Sequence, residues 1–573
     1  VTDLQVTGPP QLAVRGHPLT RNPLAPFPPW TWAVPARLNI GAACTDAHLG
    51  TPAAGRVAMI VEDDALGTSS ITYRELAART SRFAQLLRDL GIGAGERVLV
   101  RLPNGIDYPT AFLGAMKRGA VSVPTSTLLT AEEVEYLAHD SGAQAIVIDK
   151  AAWRAMGPRL AGKERLRVAL LSGPGEVVEF PGVKALDLEA ALAAITGWAP
   201  AEDTAVDDPA YLVYTSGTTG YPKGVLHGHR SLVGRTPAAT YWFHFLEPGD
   251  HEAAGGIGQG DRIVHSGKFN WTYVLGSALM DPLYHGKTVI AHEGKNDAHT
   301  WPRLIAKHGA TIFIGVPTVY RQILQKTEFT KADVPTLRHC MSAGEHLSDE
   351  VFGLWKERFG ADIYEAVGMS EFSYYLSQSR FRPIRPGSAG FPQPGHDVRL
   401  LDPETRREVA PGEEGMICIP ESDPGLFLRY WNLPEETAKH KHDGWFFTGD
   451  YARYDEDGYL WFLGRKDDII KSFGYRVSPY EVERVLKSHP AVADCACVGE
   501  EAGRDKLLVV AYVIAHAGAA VSPDELAAFG REHLAAYKAP KVVYLARDFP
   551  RTRNGKILRR EITPAIATAR SAG

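Results

Sequence analysis

At 573 residues the chain is too long for one compact core, and roughly 150 residues per domain suggests about three or four units. Lys plus Arg number 62 against 67 Asp plus Glu, and a net charge of −5 excludes the broad basic face that nucleic-acid binding needs. With 45% apolar and 23% charged residues, disordered and collagen-like classes are excluded too.

No run approaches the roughly 18 apolar residues of a membrane-spanning helix, and the start lacks the basic flank, apolar block and small-residue site of a secretory signal. The five cysteines (Cys44, Cys340, Cys418, Cys495, Cys497) are scattered and odd in number, and read as reduced thiols of a cytoplasmic protein. Residues 1–40 are Pro-rich and without periodicity, an arm packed over a surface or a mobile leader. Thr72 followed by Glu75 is a capping box, the apolar spacing Leu76, Phe83, Leu87, Leu90 predicts a helix, and Gly91 stops it. A strand follows at 97–102, then a helix near 107–118, the strand VSVP, a second capping box at Thr130/Glu133 with a helix to about 141, and the strand QAIVID. Such alternation predicts parallel strands with helices on both faces. It continues through YLVY (211–214), TVIAH (288–292), TIFIGV (311–316) and IYEAV (363–367).

From about 385 to 466 short strands with Gly and Pro (MICIP, WFFTGD, YLWFLG) predict a small β-rich subdomain. Past Arg465-Lys466-Asp467-Asp468 the texture changes again. A helix at 479–488, strands AVADCACVG and KLLVVAYVIA, a helix at 523–536 and the strand KVVYLA predict an α+β unit over 467–573. The fold expected is α/β: a large N-terminal domain over 41–466 with parallel-rich sheets, followed by a mobile C-terminal domain.

The most informative motif is Thr215-Ser216-Gly217-Thr218-Thr219-Gly220-Tyr221-Pro222-Lys223-Gly224, directly after a strand. Its glycines let backbone amides turn inward, its hydroxyls line the same loop, and Lys223 can balance phosphate charge. It is not a Walker A loop, because Pro222 precedes the lysine and Gly224 follows it. It reads as a phosphate cradle.

Five further blocks follow: Ser342-Ala343-Gly344-Glu345; Val367-Gly368-Met369-Ser370-Glu371; Trp445 to Asp450; Gly464 to Lys471 with Gly474-Tyr475-Arg476-Val477; and Pro550-Arg551-Thr552-Arg553-Asn554-Gly555-Lys556. In this order they resemble the adenylate-forming superfamily of acyl-CoA synthetases, peptide-synthetase adenylation domains and luciferases, over roughly residues 40–562. The closest pattern is that of medium-chain and aryl or alicyclic acyl-CoA synthetases.

The resemblance implies an AMP-forming ligase using ATP, Mg²⁺ and coenzyme A. A carboxylate attacks the α-phosphate to give an acyl-adenylate and pyrophosphate, and a thiol then displaces AMP. It places Thr215 to Gly220 and Lys223 on the phosphates, and Thr215 and Glu371 at Mg²⁺. Gly344, Glu345 and Glu365-Ala366-Val367-Gly368-Met369-Ser370 fall on the adenosine side, with Asp450 on the ribose and Arg465 on ribose and phosphate. Lys556 is the catalytic lysine of the first step, beside Lys223 and Glu371. Asp467 is implied as a hinge that swaps Lys556 for Phe473-Gly474-Tyr475, with Arg476, Arg504, Tyr537 and Lys538 toward coenzyme A. The other charges of the terminal run (Arg551, Arg553, Arg559, Arg560) read as a solvated basic tail.

Trp271 falls where medium-chain relatives carry a tryptophan beside the acyl group, and could equally be core. Val316 and Phe372 are further candidate walls. Two departures from the pattern stand out: Val367 replaces a tyrosine that stacks on adenine, and Phe473 replaces a small residue. The expected substrate is a medium-chain fatty acid or a ring carboxylate, with possible homo-oligomers and no nucleic-acid or membrane-spanning partner. Two rivals remain: transfer to a carrier-protein thiol, and a nucleotide-binding protein that has lost catalysis.

Overall fold

A computed structural model describes residues 30–162, 165–215, 222–246, 260–344, 347–465, 468–472, 475–501, 507–551 and 557–571. Two large sheets dominate. The first orders its strands Arg429–Tyr430, Lys223–Gly228, Pro209–Thr215, Val121–Pro124, Arg97–Arg101, Ala145–Asp149, Val168–Ser172 and Lys184–Asp187, parallel except at the Lys223 edge. The second runs from Phe391–Pro392 through Leu376–Ser377, Ile363–Val367, His339–Ala343, Ile312–Gly315, Arg262–His265, Thr288–Glu293 and Val57–Asp63 to Gly67–Thr72. Its interior strands are parallel and its outer ones antiparallel. Alternation of helix and strand thus builds two parallel-rich sheets, whose central strands are almost wholly buried as helices on both faces demand.

Local signals account for the helices. Both capping boxes form: Thr72 and Glu75 open the helix Tyr73–Asp89, and Thr130 and Glu133 open Ala131–Ser141. Gly91 takes φ +72° just beyond the first helix, a left-handed turn that a Cβ would strain.

Residues 399–465 supply a five-stranded antiparallel sheet of Arg399–Leu401, Gly415–Pro420, Trp445–Tyr454, Lys441–His442 and Leu460–Arg465. The expected β-rich subdomain is not closed on itself, because Phe391–Pro392 edges the second large sheet and Arg429–Tyr430 edges the first. Further on, Ile470–Ser472 pairs with Tyr475–Val477, and Val492–Glu501, Leu507–Ala515, Val542–Ala546 and Ala567–Arg570 form a four-stranded sheet under the helices Pro479–Lys487 and Pro523–His533. The second of these helices ends three residues before the expected 536, where Leu534 turns extended. Among the described residues no helix is long and apolar enough to cross a membrane.

Candidate active site

The phosphate motif leaves one strand and enters its antiparallel neighbour. Thr215 lies directly opposite Lys223 and Tyr214 opposite Gly224, so the two ends of the loop are cross-strand neighbours. Ser216, Gly217, Thr218, Thr219 and Gly220 lie outside the described residues. A Cβ on Gly224 would stand 3.0 Å from both the Leu212 side chain and Trp431 Cβ, so a close approach fixes this glycine.

From Lys223 a chain of contacts leads inward. Its ammonium pairs with Glu436 and lies 5.8 Å from the Tyr430 ring centroid. The Tyr430 hydroxyl donates to Glu371 Oε1 at 2.7 Å, and Glu371 is only 7% exposed. Burial, and then the Glu371 charge, push the Tyr430 phenol well above its ordinary range, so it remains a donor. Glu371 is presented by a tight turn in which the Met369 and Phe372 amides each donate to the other's carbonyl. Its own carbonyl accepts from Phe427 N at 2.8 Å.

Asp450 and Arg465 face one another on adjacent strands, with Nε 3.5 Å from Oδ1, and Asp450 is 5% exposed. Burial opposes charge on Arg465, but the Asp450, Glu371 and Asp468 carboxylates outweigh it and hold the guanidinium above its ordinary pKa. Glu371 therefore acts electrostatically on Arg465, which links the Lys223–Tyr430–Glu371 line to Asp450. These carboxylates and cations fit a magnesium–triphosphate. A buried carboxylate such as Glu371 is the kind of protein ligand Mg²⁺ takes when substrate phosphates and water complete its shell. Among the described residues no three His, Cys, Asp or Glu side chains converge to cage a metal by themselves.

On the strand Ile363–Val367, expected on the adenosine side, Ala366 is buried, while Val367 is half-buried and Gly368 beyond it is exposed. Glu365 is buried on the same strand. Its two carboxylate oxygens accept the amides of Leu347 (3.1 Å) and Gly387 (3.0 Å), and burial pushes its pKa to about 8 despite those donors. Its side chain therefore braces backbone. Ser370 offers its carbonyl to His227 Nε2 at 2.8 Å. Gly344 adopts φ +91°, and an added Cβ there would stand 3.6 Å from the Trp271 indole. The tryptophan therefore lies over this turn. Glu345 lies outside the described residues.

Around Trp271 the sequence signal was incomplete. Its ring meets Tyr273 edge-on at 5.3 Å and His265 at 6.5 Å, and those two meet at 4.9 Å. Tyr273 sits in the short helix Thr272–Val274, which continues as a π-helical stretch over Leu275–Met280. That stretch is pinned by the buried pair Arg235–Asp281, with bonds of 2.8 and 3.1 Å. Arg235 Nη2 would lie 1.4 Å from a Cβ on Gly276, so only glycine fits. Val316 is half-buried at the start of the helix Pro317–Lys326. Phe372, expected as a wall, is 1% exposed and packs against Tyr375 and His396, in a different core cluster from that of Trp271.

In the C-terminal unit Lys538 is held by Glu481 at 2.7 Å and lies over the exposed Tyr537. Tyr475 and Arg476 sit on a strand paired with Ile470–Ser472. Asp467, Phe473, Gly474, Arg504 and Lys556 lie outside the described residues. The basic tail is corrected at two positions. Arg559 is clamped on both oxygens of the buried Glu483 and stacks on Tyr480 at 4.5 Å, and Arg551 bonds Asp494 at 2.6 Å. Carboxylates from other elements turn these charges inward, which composition along the chain cannot show.

Comparison with known proteins agrees with this geometry. The model of the AMP-binding enzyme family matches residues 49–431, and that of the AMP-binding enzyme C-terminal domain matches residues 481–556. Benzoate–CoA ligase of Thauera aromatica is 35% identical over 518 residues, covering 89% of this chain and 94% of that protein. 3-Hydroxybenzoate–CoA ligase of Aromatoleum sp. (strain CIB) is 33% identical over 506 residues, covering 86% and 91%. A crystal structure of a benzoate CoA ligase from Burkholderia xenovorans LB400 superposes with a TM-score of 0.79 at 31% identity, over 91% of this chain and 99% of that one. From the Thr215/Lys223 hairpin through the Lys223–Tyr430–Glu371 line to the C-terminal sheet, the chain belongs to the AMP-binding enzyme family.

Proposed function

We propose that the chain joins an aromatic ring carboxylate to coenzyme A in two steps. In the first, a carboxylate oxygen attacks the α-phosphorus of ATP and pyrophosphate leaves. In the second, the thiol sulfur attacks the acyl carbon, AMP leaves, and the thiol proton passes to solvent. Lys223 and Thr215 hold the phosphates from two adjacent strand ends, and Asp450 takes the ribose hydroxyls. Glu371 and Thr215 hold magnesium, which arrives with the triphosphate and offsets the charge of the departing pyrophosphate. Lys556 is assigned to the attacking carboxylate. Tyr475, Arg476, Tyr537 and Lys538 are assigned to the coenzyme A side. The five cysteines are unpaired and buried, which fits a reducing cytoplasm.

The observation that carries the ring-acid reading is the set of rings around Trp271, mutually edge-on, with Trp271 itself lying over the Gly344 turn. Edge-on aromatic walls favour a flat ring over a flexible chain, because a rigid ring gives up little rotamer freedom on binding. The similarity to aryl-acid–CoA ligases supports the same class. AMP release over a panel of benzoate, cyclohexanecarboxylate and octanoate, with free coenzyme A as acceptor, tests it. Benzoate is expected to give the highest kcat/KM, and octanoate exceeding both ring acids would overturn the reading.

A further inference from the structure

Asp140, in the last turn of the helix Ala131–Ser141, bonds to two strands at once. Its carboxylate accepts the Tyr214 hydroxyl at 2.6 Å, and its backbone carbonyl accepts Trp431 Nε1 and Asn432 Nδ2, each at 2.9 Å. That carbonyl is one of those a helix end leaves without an internal partner. From the same helix the Tyr136 hydroxyl donates to the Pro222 carbonyl at 3.3 Å. The strands concerned are neighbours, with Arg429–Tyr430 on one side of Lys223–Gly228 and Pro209–Thr215 on the other. Each bond reaches a residue next to one that lines the proposed triphosphate site. Tyr214 precedes Thr215, Pro222 precedes Lys223, and Trp431 follows Tyr430, whose hydroxyl holds Glu371. Arg97 covers the junction: it donates to the Ser141 and Gly142 carbonyls at 2.6 and 2.8 Å, and its guanidinium lies 5.3 Å from the Trp431 ring.

We propose that Asp140 is a positioning residue for the triphosphate, which through Tyr214 and Trp431 fixes the spacing of the Thr215, Lys223 and Tyr430 strand ends. The assignment rests on the phosphate reading of Thr215 and Lys223 above and deepens it. Asp140 itself touches no substrate. A carboxylate acceptor makes a hydrogen bond about twice as strong as a neutral one, so the bond to Tyr214 is the firmest of the set. Burial, and then the bond to Asp140, push the Tyr214 phenol well above its ordinary range, so it stays the donor. A misplacement of about 1 Å in a group that positions substrate can cost about 10²-fold in rate. Only ATP carries the β- and γ-phosphates. The acyl-adenylate has lost them, so the spacing set by Asp140 bears on the first half-reaction and not on the second.

The test compares the native full chain with Tyr214→Phe, Asp140→Ala, their double variant and Lys223→Ala, using the acid of the panel above that turns over fastest. Two quantities are measured: the KM of magnesium–ATP in pyrophosphate exchange, and the single-turnover rate of thioester formation from supplied acyl-adenylate. Tyr214→Phe and Asp140→Ala are each expected to raise that KM about fivefold or more and to leave thioester formation within about twofold of the native rate. The double variant should be no worse than the poorer single one, because both remove the same bond. Asp140→Asn, which keeps an acceptor oxygen, should recover most of the loss. A purely structural role would lower both half-reactions together. Should Asp140→Ala fail to fold, Tyr214→Phe, which removes one oxygen, still decides. An unchanged KM in Tyr214→Phe, or an equal loss of both half-reactions, overturns the positioning role, and the phosphate reading stands if Lys223→Ala raises the KM. A KM unmoved by Lys223→Ala overturns both.

Discussion

Tyr430 stands between the two charges that a magnesium–triphosphate would meet, its ring under Lys223 and its hydroxyl on Glu371. A partner that orients a metal-binding carboxylate typically controls affinity or activity by about 10–100-fold. Tyr430→Phe is therefore expected to raise the magnesium concentration giving half-maximal pyrophosphate exchange by about tenfold, with little change in fold. An unaltered magnesium dependence would remove Glu371 from the metal. Glu365 acts on stability instead. Its carboxyl is held near pKa 8 by burial, whereas the unfolded glutamate ionises at about 4.3. Between those values the native state holds a proton that the unfolded state has lost, so stability falls as pH rises toward 8 and levels off above it. Glu365→Gln abolishes that contribution. Melting temperatures from pH 5 to 9 should show the native protein losing ground to the variant up to about pH 8, and a pH-independent difference would contradict the burial argument.

The elements that read clearly in the chain are those whose signal is local. Thr72/Glu75 and Thr130/Glu133 each satisfy amides within one turn, and both helices begin where the boxes place them. The strand Ala567–Arg570 passed unread, because its four residues ATAR hold no large apolar or aromatic side chain and its place is set by pairing with Tyr544 and Leu545. Arg559 was misread for the same reason: Glu483, the carboxylate that buries it, lies 76 residues away on another helix. That pair and Arg551–Asp494 flank residues 552–556 and tie both ends of the Lys556 segment to the C-terminal unit. Removing one partner of a buried pair typically costs about 3–5 kcal/mol. Arg559→Ala should lower the urea midpoint of the C-terminal unit and depress adenylation together, whereas Lys556→Ala should depress adenylation alone. Losing a charge-stabilising group of the Lys556 kind typically costs about 10²–10³ in rate. Thioester formation from supplied acyl-adenylate should survive Lys556→Ala, and equal loss of both half-reactions would contradict its role.

Across the whole molecule the C-terminal unit rests on the five-stranded sheet through a few mixed contacts. The Phe462 and Tyr480 rings meet edge-on at 5.5 Å, Arg484 lies 5.1 Å from the Trp461 ring, and the Ser478 hydroxyl donates to the Leu463 carbonyl. Glu481 sits at the junction, 2.7 Å from Lys538 within its own unit and 3.6 Å from Arg453 across the interface. One carboxylate thus ties a lysine assigned to coenzyme A to the contact that holds the unit in this orientation. If the two half-reactions use different orientations, as the proposed hinge at Asp467 requires, Glu481 favours the one described here and withholds Lys538 from the thiol step. Glu481→Gln removes the charge and keeps the shape. It should weaken this orientation and free Lys538, so the two half-reactions should move in opposite directions. Arg453 is partly exposed, and such pairs contribute about 0.2–1 kcal/mol, so each shift should be about 1.4- to fivefold. Pyrophosphate exchange measures the first step, and single-turnover thioester formation from supplied acyl-adenylate measures the second. A parallel fall in both would show that Glu481 only stabilises the fold, and the larger shift identifies the half-reaction this orientation serves.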